Sequence, residues 1–141
     1  MQYLTASLED YIEIIYVLSQ NSSDVGVTDV AKALGISKPS VNRAIQALKL
    51  KNLVIQEKYG KIILTPMGKS VANAVYSKHR VLRDFFVIVL GVSDETAESD
   101  ACKIEHMLSD ETFGMIEKNL MMRDLKNFSI KNKKKKSINL N

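Results

Sequence analysis

The sequence has little cysteine and no long apolar run, and these two absences exclude several classes of protein. With Cys102 as its only cysteine, the chain forms no internal disulfide and no zinc site built from cysteines alone, which fits a reducing cytoplasm. The longest apolar run, Phe85 to Leu90, is far shorter than the ~20 residues that cross a bilayer. The N-terminus also lacks the basic and then apolar order of a secretory signal. We therefore expect a cytoplasmic protein with no membrane partner.

Charge is distributed unevenly along the 141 residues, although the net charge is only +4. Residues 1–26 carry four acidic residues and no lysine or arginine, whereas residues 27–65 carry seven basic residues against Asp29 and Glu57. Residues 131–141 hold five lysines and no acidic residue, so the rest of the chain is close to neutral. The segment 27–65 is therefore the part best suited to contact a polyanion.

The N-terminal part of the chain predicts two helices separated by a polar break. Apolar residues at helical spacing from Leu8 to Leu18 predict the first helix, with Ser7 as its cap. Thr28 is expected to cap a short second helix that ends at Gly35.

The next segment completes the pattern of a winged helix-turn-helix. Ser37 is expected to cap a third helix, with Pro39 tolerated in its first turn. Two short runs rich in β-branched residues, 53–55 and 62–64, flank a turn with one glycine and predict a β-hairpin. A hairpin directly after the second helix of a helix-turn-helix is the wing of that motif.

The second half of the chain is predicted to be entirely helical. Thr65 and Pro66 open a long helical pattern that Gly91 ends. Residues Asp94 to Met107 and Asp110 to Met122 have the pattern of two further amphipathic helices. This pair carries more apolar surface than it can bury alone, which predicts a homodimer.

One helix of that pair concentrates groups that bind metals. Cys102, Glu105 and His106 stand at i, i+3 and i+4, so their side chains share one helix face. A thiolate, a carboxylate and an imidazole make a poor apolar face but a good site for a divalent transition metal.

Three further candidate ligands come from other helices. Asp10 and Glu13 are spaced i, i+3 on the first helix, and His79 lies in the long one. Each has a simpler interpretation: the two carboxylates could complement the helix dipole, and His79 could be a surface residue. Cys102 in turn could be a small buried apolar residue.

Several segments, in order and with matching separations, carry a family resemblance. They are Ser-Leu-Glu-Asp-Tyr-Ile-Glu at 7–13, Lys-Pro-Ser-Val at 38–41, Leu-Thr-Pro-Met-Gly at 64–68, His79, and Ile-Glu-His at 104–106. Over roughly residues 4–122 the chain resembles the diphtheria toxin repressor family of metal-dependent transcriptional regulators, whose manganese branch is the closer in length. The resemblance implies a repressor that binds double-stranded DNA at a palindromic operator, controls iron or manganese homeostasis genes and needs no organic cofactor.

The expected architecture is mainly α. It consists of a winged helix-turn-helix DNA-binding domain with a small β-hairpin wing at 1–70 and an all-α metal-binding and dimerisation domain at 71–125. A basic, flexible tail is expected at 126–141.

The resemblance also implies the metal ligands. The family's primary site maps onto Asp10, Cys102, Glu105 and His106, and a neighbouring site maps onto Glu13 and His79, with Glu105 as a possible bridge. The manganese branch has a glutamate at the position of Cys102, whereas the iron branch has cysteine there but methionine at the position of Asp10. Arg83 and Glu98 stand where the iron branch puts a second-site glutamate and histidine, so an ancillary site of that type is not expected.

The identity of the ion follows in part from the softness of the donors. A thiolate favours Fe(II), Co(II), Ni(II) or Zn(II) over Mn(II), while carboxylates tolerate Mn(II) and Fe(II). We expect one or two ions per subunit, with Fe(II) favoured and Mn(II) second.

The third helix and the wing supply the candidate DNA contacts. Arg43 could read guanine through two hydrogen bonds, and Asn42 or Gln46 could read adenine. Lysines of the same region would contact phosphates and make the affinity fall with salt. The full predicted set is Thr28, Ser37, Lys38, Pro39, Ser40, Asn42, Arg43, Gln46, Lys49, Lys58 and Lys61.

Two other functions compete with this interpretation. A metal-independent winged-helix regulator that responds to an organic ligand would lose nothing when His106 or Glu105 is replaced by alanine. A small metalloenzyme could use the same ligands, but no additional acid, base or nucleophile stands out beside them.

The thiol provides a direct test of the ligand assignment. If Cys102 binds the metal, Cys102→Ser should weaken metal binding permanently, and air oxidation of the unmodified protein should impair activation, because only the thiolate coordinates. Titration of both proteins with Fe(II) under anaerobic conditions measures the difference. Equal metal affinity in the two proteins would contradict the assignment of Cys102.

Overall fold

The computed structural model describes residues 4–57 and 60–138. The chain divides into two compact units, the first ending at Ser77 and the second beginning at Lys78. The described elements are α1 (Ala6–Asn21), α2 (Val27–Leu34), α3 (Lys38–Leu50), β1 (Val54–Gln56), β2 (Ile62–Leu64), α4 (Pro66–Ile88), α5 (Asp94–Ile104) and α6 (Asp110–Ile138). This order confirms the expected fold class, a helix-turn-helix with a β-hairpin wing followed by helices. The units separate seven residues later than the boundary predicted from the sequence.

The first unit is held together by apolar residues at helical spacing on α1, α2 and α3. Their side chains are buried because the three helices face one another and cover a common core. The most buried members are Ile12, Ile15, Val30, Val41, Ile45 and Leu48.

Two of the predicted helix caps are wrong, each by two residues. α1 begins after Thr5, whose Oγ1 accepts a hydrogen bond from the backbone N–H of Leu8 at 3.2 Å, so Ser7 lies inside the helix. α2 begins after Gly26, and Asp29 Oδ2 accepts from the Gly26 N–H at 2.8 Å, so Thr28 lies in the first turn. A capping side chain must reach a backbone N–H about three residues away. This requirement determines where the helix starts more strongly than the position of the first apolar residue does.

The predictions for the helix-turn-helix itself are confirmed. Gly35 ends α2 in a left-handed conformation with φ of 65°. Ser37 Oγ accepts from the Ser40 N–H at 3.3 Å, and Pro39 lies in the first turn of α3. Since glycine adopts positive φ at little cost, the chain can reverse within three residues between α2 and α3.

The wing is a two-stranded antiparallel hairpin with Val54 opposite Leu64 and Gln56 opposite Ile62. The N–H of Ile62 donates to the carbonyl of Val25 at 2.8 Å, which attaches β2 to the loop before α2. Lys58, one of the expected phosphate contacts, lies outside the described residues.

The second unit contains the end of α4 together with α5 and α6. Leu82, Ala97 and Ala101 are fully buried, and Ser93 caps α5 by accepting from the Thr96 N–H at 3.2 Å. Among the described residues, no helix is both long enough and apolar enough to cross a membrane.

The last helix is longer than the sequence pattern predicts. α6 continues to Ile138, whereas the sequence predicts its end at Met122 and a flexible tail from residue 126. Its residues from Met121 to Lys131 are exposed, so the apolar periodicity that reports burial is absent there. The segment contains no proline, and lysine is a good helix former, so backbone hydrogen bonds continue without a buried face.

Gly68, in the first turn of α4, lies against the backbone of Leu53, the residue directly before β1. A Cβ atom at this position would come within 1.9 Å of the carbonyl oxygen of Leu53. That oxygen also accepts a hydrogen bond from the Thr65 N–H at 3.0 Å, so the loop cannot move away without losing the bond. The absence of a side chain at Gly68 therefore fixes how α4 joins the helix-turn-helix.

We expect Gly68→Ala to lower the free energy of unfolding by roughly 1–3 kcal/mol, because the added methyl group overlaps backbone atoms. Gly114→Ala is the matched control, since a Cβ there meets nothing within 4 Å and the helix should gain about 0.5–1 kcal/mol. Urea unfolding followed by circular dichroism compares the two variants. Equal stability of both would show that the close approach at Gly68 is unimportant.

Candidate metal centre and nucleic-acid interface

A buried carboxylate lies at the centre of the second unit. Glu105 follows the last residue of α5 and is 1% exposed. Its Oε1 has no hydrogen-bond partner among the residues that the structure describes. Burying a carboxylate oxygen without a partner is costly, so this atom is suited to bind a cation.

Both histidines of the chain contact this carboxylate. His79 of α4 places Nδ1 2.6 Å from Glu105 Oε2, and His106 places Nε2 3.2 Å from Glu105 Oε1. The second contact does not have the geometry of a hydrogen bond, which is why Oε1 remains unsatisfied. The candidate ligand atoms of His79 and Glu105, and likewise those of Glu105 and His106, lie within 4.8 Å of one another. One carboxylate therefore faces two imidazoles, one at each oxygen.

The second nitrogen of His79 is also engaged. Its Nε2 lies 2.8 Å from Glu98 Oε1, so the buried ring bridges the carboxylate of Glu98 on α5 and that of Glu105, which follows α5. The hydrogen bond to Glu105 raises the pKa of His79 to about 9, with a further contribution from Glu98 and against the opposing effect of burial. At neutral pH the imidazole is therefore protonated, and a metal ion that binds it must displace a proton.

Cys102 occupies a different position from the other candidate ligands of α5. It lies one turn before Glu105 and His106, but its side chain is exposed. The thiol belongs to none of the groups of closely spaced ligand atoms found in the part of the chain that the structure describes. Its role as a ligand remains a prediction.

Asp10 and Glu13 lie one turn apart on α1 of the first unit, and both are half-buried. Three residues after Glu13, the ring of Tyr16 packs against that of Tyr76 on α4 with a centroid distance of 5.6 Å. The Tyr16 hydroxyl also donates to Asn73 Oδ1 at 3.3 Å. α1 is thus fixed beside the first half of α4, while the part of the two carboxylates in a metal site remains a prediction.

Two residues of this contact network, Glu98 and Arg83, are absent from the site predicted from the sequence. Arg83 Nε lies 3.4 Å from Glu98 Oε2, so this arginine supports the residue that holds His79. A signal for Glu98 exists in the sequence, because it precedes Glu105 by seven residues and two helical turns bring both to one face. However, α5 carries several acidic residues, and the sequence gives no reason to select Glu98 among them by this spacing.

The exposed face of α3 has the polar character predicted for a DNA-reading helix. Asn42, Arg43 and Gln46 are exposed, opposite the buried stripe that includes Val41 and Leu48. The remaining candidates around them are exposed or half-buried: Thr28, Ser37, Lys38, Pro39, Ser40, Lys49 and Lys61. These side chains can reach a groove without disturbing the core, and their roles in DNA contact remain predictions.

The guanidinium of Arg43 is partly ordered by its own helix. Its Nη2 donates to Ser40 Oγ at 3.4 Å, and that hydroxyl lies 2.9 Å from Ser37 Oγ. This short chain of polar contacts restrains the arginine near the N-terminus of α3, which is the end of a recognition helix that enters the major groove.

Two family models match the chain in succession. One is described as the N-terminal DNA binding domain of iron dependent repressors and matches residues 3–62. The other is described as the metal binding and dimerisation domain of iron dependent repressors and matches residues 65–124.

Curated relatives agree with these models. The HTH-type transcriptional regulator MntR of Bacillus pumilus (strain SAFR-032) is 40% identical over 105 residues, which cover 74% of this chain and 72% of the relative. The regulator of the same name from Bacillus subtilis (strain 168) is 38% identical over 105 residues, covering 74% and 73%.

Solved structures show the same fold. The crystal structure of T. acidophilum IdeR has a TM-score of 0.72 and 26% identity, and the match covers 84% of this chain and 55% of that one. A manganese-dependent transcriptional repressor in complex with manganese has a TM-score of 0.74 and 27% identity, with coverage of 80% and 52%. The chain thus spans about half the length of these solved structures.

The bridged imidazole predicts how stability depends on pH. The pKa of His79 is about 9 in the folded state against 6.5 for an ordinary histidine, so its stabilising contribution is complete below pH 6.5 and is lost as the pH rises through 9. For the metal-free protein in chelator, we expect the free energy of unfolding to fall over this range by on the order of 3 kcal/mol. Urea unfolding at several pH values, with His79→Asn as the control that lacks the titration, measures the slope. A slope as steep in the variant as in the unmodified protein would contradict this assignment.

Proposed function

Because this chain belongs to the iron-dependent repressor family of metal-responsive transcriptional regulators, we propose that it binds operator DNA when a divalent cation occupies a site around Glu105. The family resemblance inferred from the sequence is confirmed. The protein is a regulator rather than an enzyme, and it carries the family's DNA-binding and dimerisation domains in that order. The observation that carries the proposal is the buried carboxylate of Glu105, which lies between two imidazoles and whose Oε1 has no hydrogen bond.

The donor set around Glu105 fits a divalent first-row ion. The carboxylate supplies oxygen, and His79 and His106 supply nitrogen, a combination that suits Mn(II), Fe(II) or Zn(II). A bound cation supplies the positive charge that the buried Oε1 lacks. For the cation to bind, His79 would have to lose the proton on Nδ1, which would free this nitrogen to coordinate.

The choice between Mn(II) and Fe(II) depends on Cys102. The sequence favours Fe(II) because of the thiol, but that side chain is exposed. The names of the relatives point to manganese, and the donors closest to Glu105 are oxygen and nitrogen. We therefore propose Mn(II) as the first ion and Fe(II) as the second, with Cys102 deciding how well Fe(II) competes.

We further propose that Asp10 and Glu13 of α1 complete the metal centre. The packing of Tyr16 on Tyr76 supports this, because Glu13 lies one turn from Tyr16 and His79 lies one turn from Tyr76. Without a cation these carboxylates and Glu105 would repel one another, so α1 and α5 would not be held together at this point.

This arrangement would couple metal to DNA. α1 belongs to the DNA-binding unit and α5 to the dimerisation unit, so ligands drawn from both would fix the separation of the two recognition helices in a homodimer. A fixed separation selects two half-sites and therefore a palindromic operator. By linkage, metal raises DNA affinity and DNA raises metal affinity by the same factor.

The proposal is tested with an operator selected from random double-stranded DNA in the presence of Mn(II). We expect Mn(II) to tighten binding of that DNA at least tenfold relative to chelator, and Glu105→Gln to abolish the increase, because the amide is a poor metal ligand. Fluorescence anisotropy at constant salt measures both affinities. Fe(II) is compared under anaerobic conditions.

Glu117→Gln is the matched control, because it removes a carboxylate from an exposed position on α6 and leaves the centre intact. Its response to Mn(II) should equal that of the unmodified protein. Equal DNA affinity in chelator and in saturating metal would overturn the proposal and favour a metal-independent regulator.

A further inference from the structure

We propose that Glu98, held in place by Arg83, is a positioning residue that orients the imidazole of His79 so that Nδ1 faces the metal. The inference rests on the proposed metal centre and adds two residues to it. It concerns contacts within the second unit only, between α4 and α5.

The geometry around His79 uses every polar atom of the ring and of Glu98. His79 Nε2 lies 2.8 Å from Glu98 Oε1, and Arg83 Nε lies 3.4 Å from the other oxygen, Glu98 Oε2. His79 Nδ1 points the opposite way, to Glu105 Oε2 at 2.6 Å. The contacts therefore run in series from Arg83 through Glu98 and His79 to the buried carboxylate.

This series determines which nitrogen of the ring is available. A neutral imidazole carries one proton, and the partner of the protonated nitrogen decides which nitrogen can coordinate a metal. Glu98 accepts from Nε2–H, so the neutral ring is held in the Nε2–H tautomer and the lone pair on Nδ1 is directed at Glu105. Without Glu98, the ring would have no fixed acceptor on this side and either nitrogen could be protonated.

Arg83 keeps Glu98 available for this role. The guanidinium also contacts Asp84 Oδ1 within α4 and Asp94 Oδ1 at the start of α5, each at 3.3 Å, so it is held from both helices. Its Nε forms an ion pair with Oε2, the oxygen of Glu98 that His79 does not use. Because Arg83 contacts Oε2 of Glu98, this oxygen is not available to bind a second ion.

Stability alone does not explain this network. The side chains of Arg83 and Glu98 are 38% and 58% exposed, and exposed ion pairs contribute little to folding. The imidazole of His79, by contrast, is only 6% exposed, so we expect Glu98 and Arg83 to determine the orientation of this ring. Loss of Glu98 should therefore change metal binding and the tautomer of His79 far more than the unfolding midpoint.

The test compares Glu98→Ala with Glu95→Ala, which removes an exposed glutamate from the same helix outside the network. The dissociation constant for Mn(II) is measured by electron paramagnetic resonance of the free ion. The tautomer of His79 is read from imidazole ¹⁵N spectra of the Zn(II)-loaded protein. We expect Glu98→Ala to raise the Mn(II) dissociation constant about 10–100-fold and to lose the Nε2–H signal, with less than a twofold change in Glu95→Ala.

Two further variants separate positioning from a structural role. Glu98→Gln retains an acceptor for Nε2–H and should recover part of the affinity. Arg83→Gln should weaken Mn(II) binding when Glu98 is present and have no effect in the Glu98→Ala background, because Arg83 acts through Glu98.

Equal Mn(II) affinity in Glu98→Ala and Glu95→Ala, or an unchanged His79 tautomer, would overturn this inference and leave the proposed metal centre standing. Failure of the unmodified protein to bind Mn(II), Fe(II) or Zn(II) would overturn both together. The two failures are thus distinguished by the unmodified protein alone.

Discussion

A carboxylate buried without enough partners is the constraint on which the second unit depends. Glu105 is fully enclosed, faces an imidazole at each oxygen and still leaves Oε1 without a hydrogen bond. In the metal-free state the proton on His79 supplies the positive charge that balances this group. In the proposed metal-bound state, a divalent cation would take over this role from the proton. Either way, positive charge beside the buried carboxylate offsets the cost of burying it.

The scaffold positions this carboxylate by simple local means. Ser93 caps α5 and small residues such as Ala97 and Ala101 let it pack closely, so its last turn delivers Glu105 to the ring of His79 on α4. α4 itself is placed by Gly68, where a side chain would overlap the backbone of Leu53. Within the first unit, the start of α4 is thereby fixed against the backbone that leads into β1.

The errors made from the sequence follow one pattern, since they concern features that apolar periodicity does not report. The caps at Ser7 and Thr28 are wrong because side-chain reach decides a helix start. The end of α6 at Met122 is wrong because an exposed helix has no buried stripe. The elements with a buried face are predicted correctly: α3 with its Ser37 cap, and the hairpin after it.

The sequence by itself determined the order of the elements, the face of α3 that is exposed, and the adjacency of Glu105 and His106, which both follow the last residue of α5. Those features follow from residue spacing within a single segment. Only the tertiary structure decided that His79 lies between Glu98 and Glu105, that Arg83 supports Glu98, and that Cys102 is exposed. The physical reason is that contacts between α4 and α5 depend on how two helices are rotated against each other, and that rotation is set by packing rather than by local spacing.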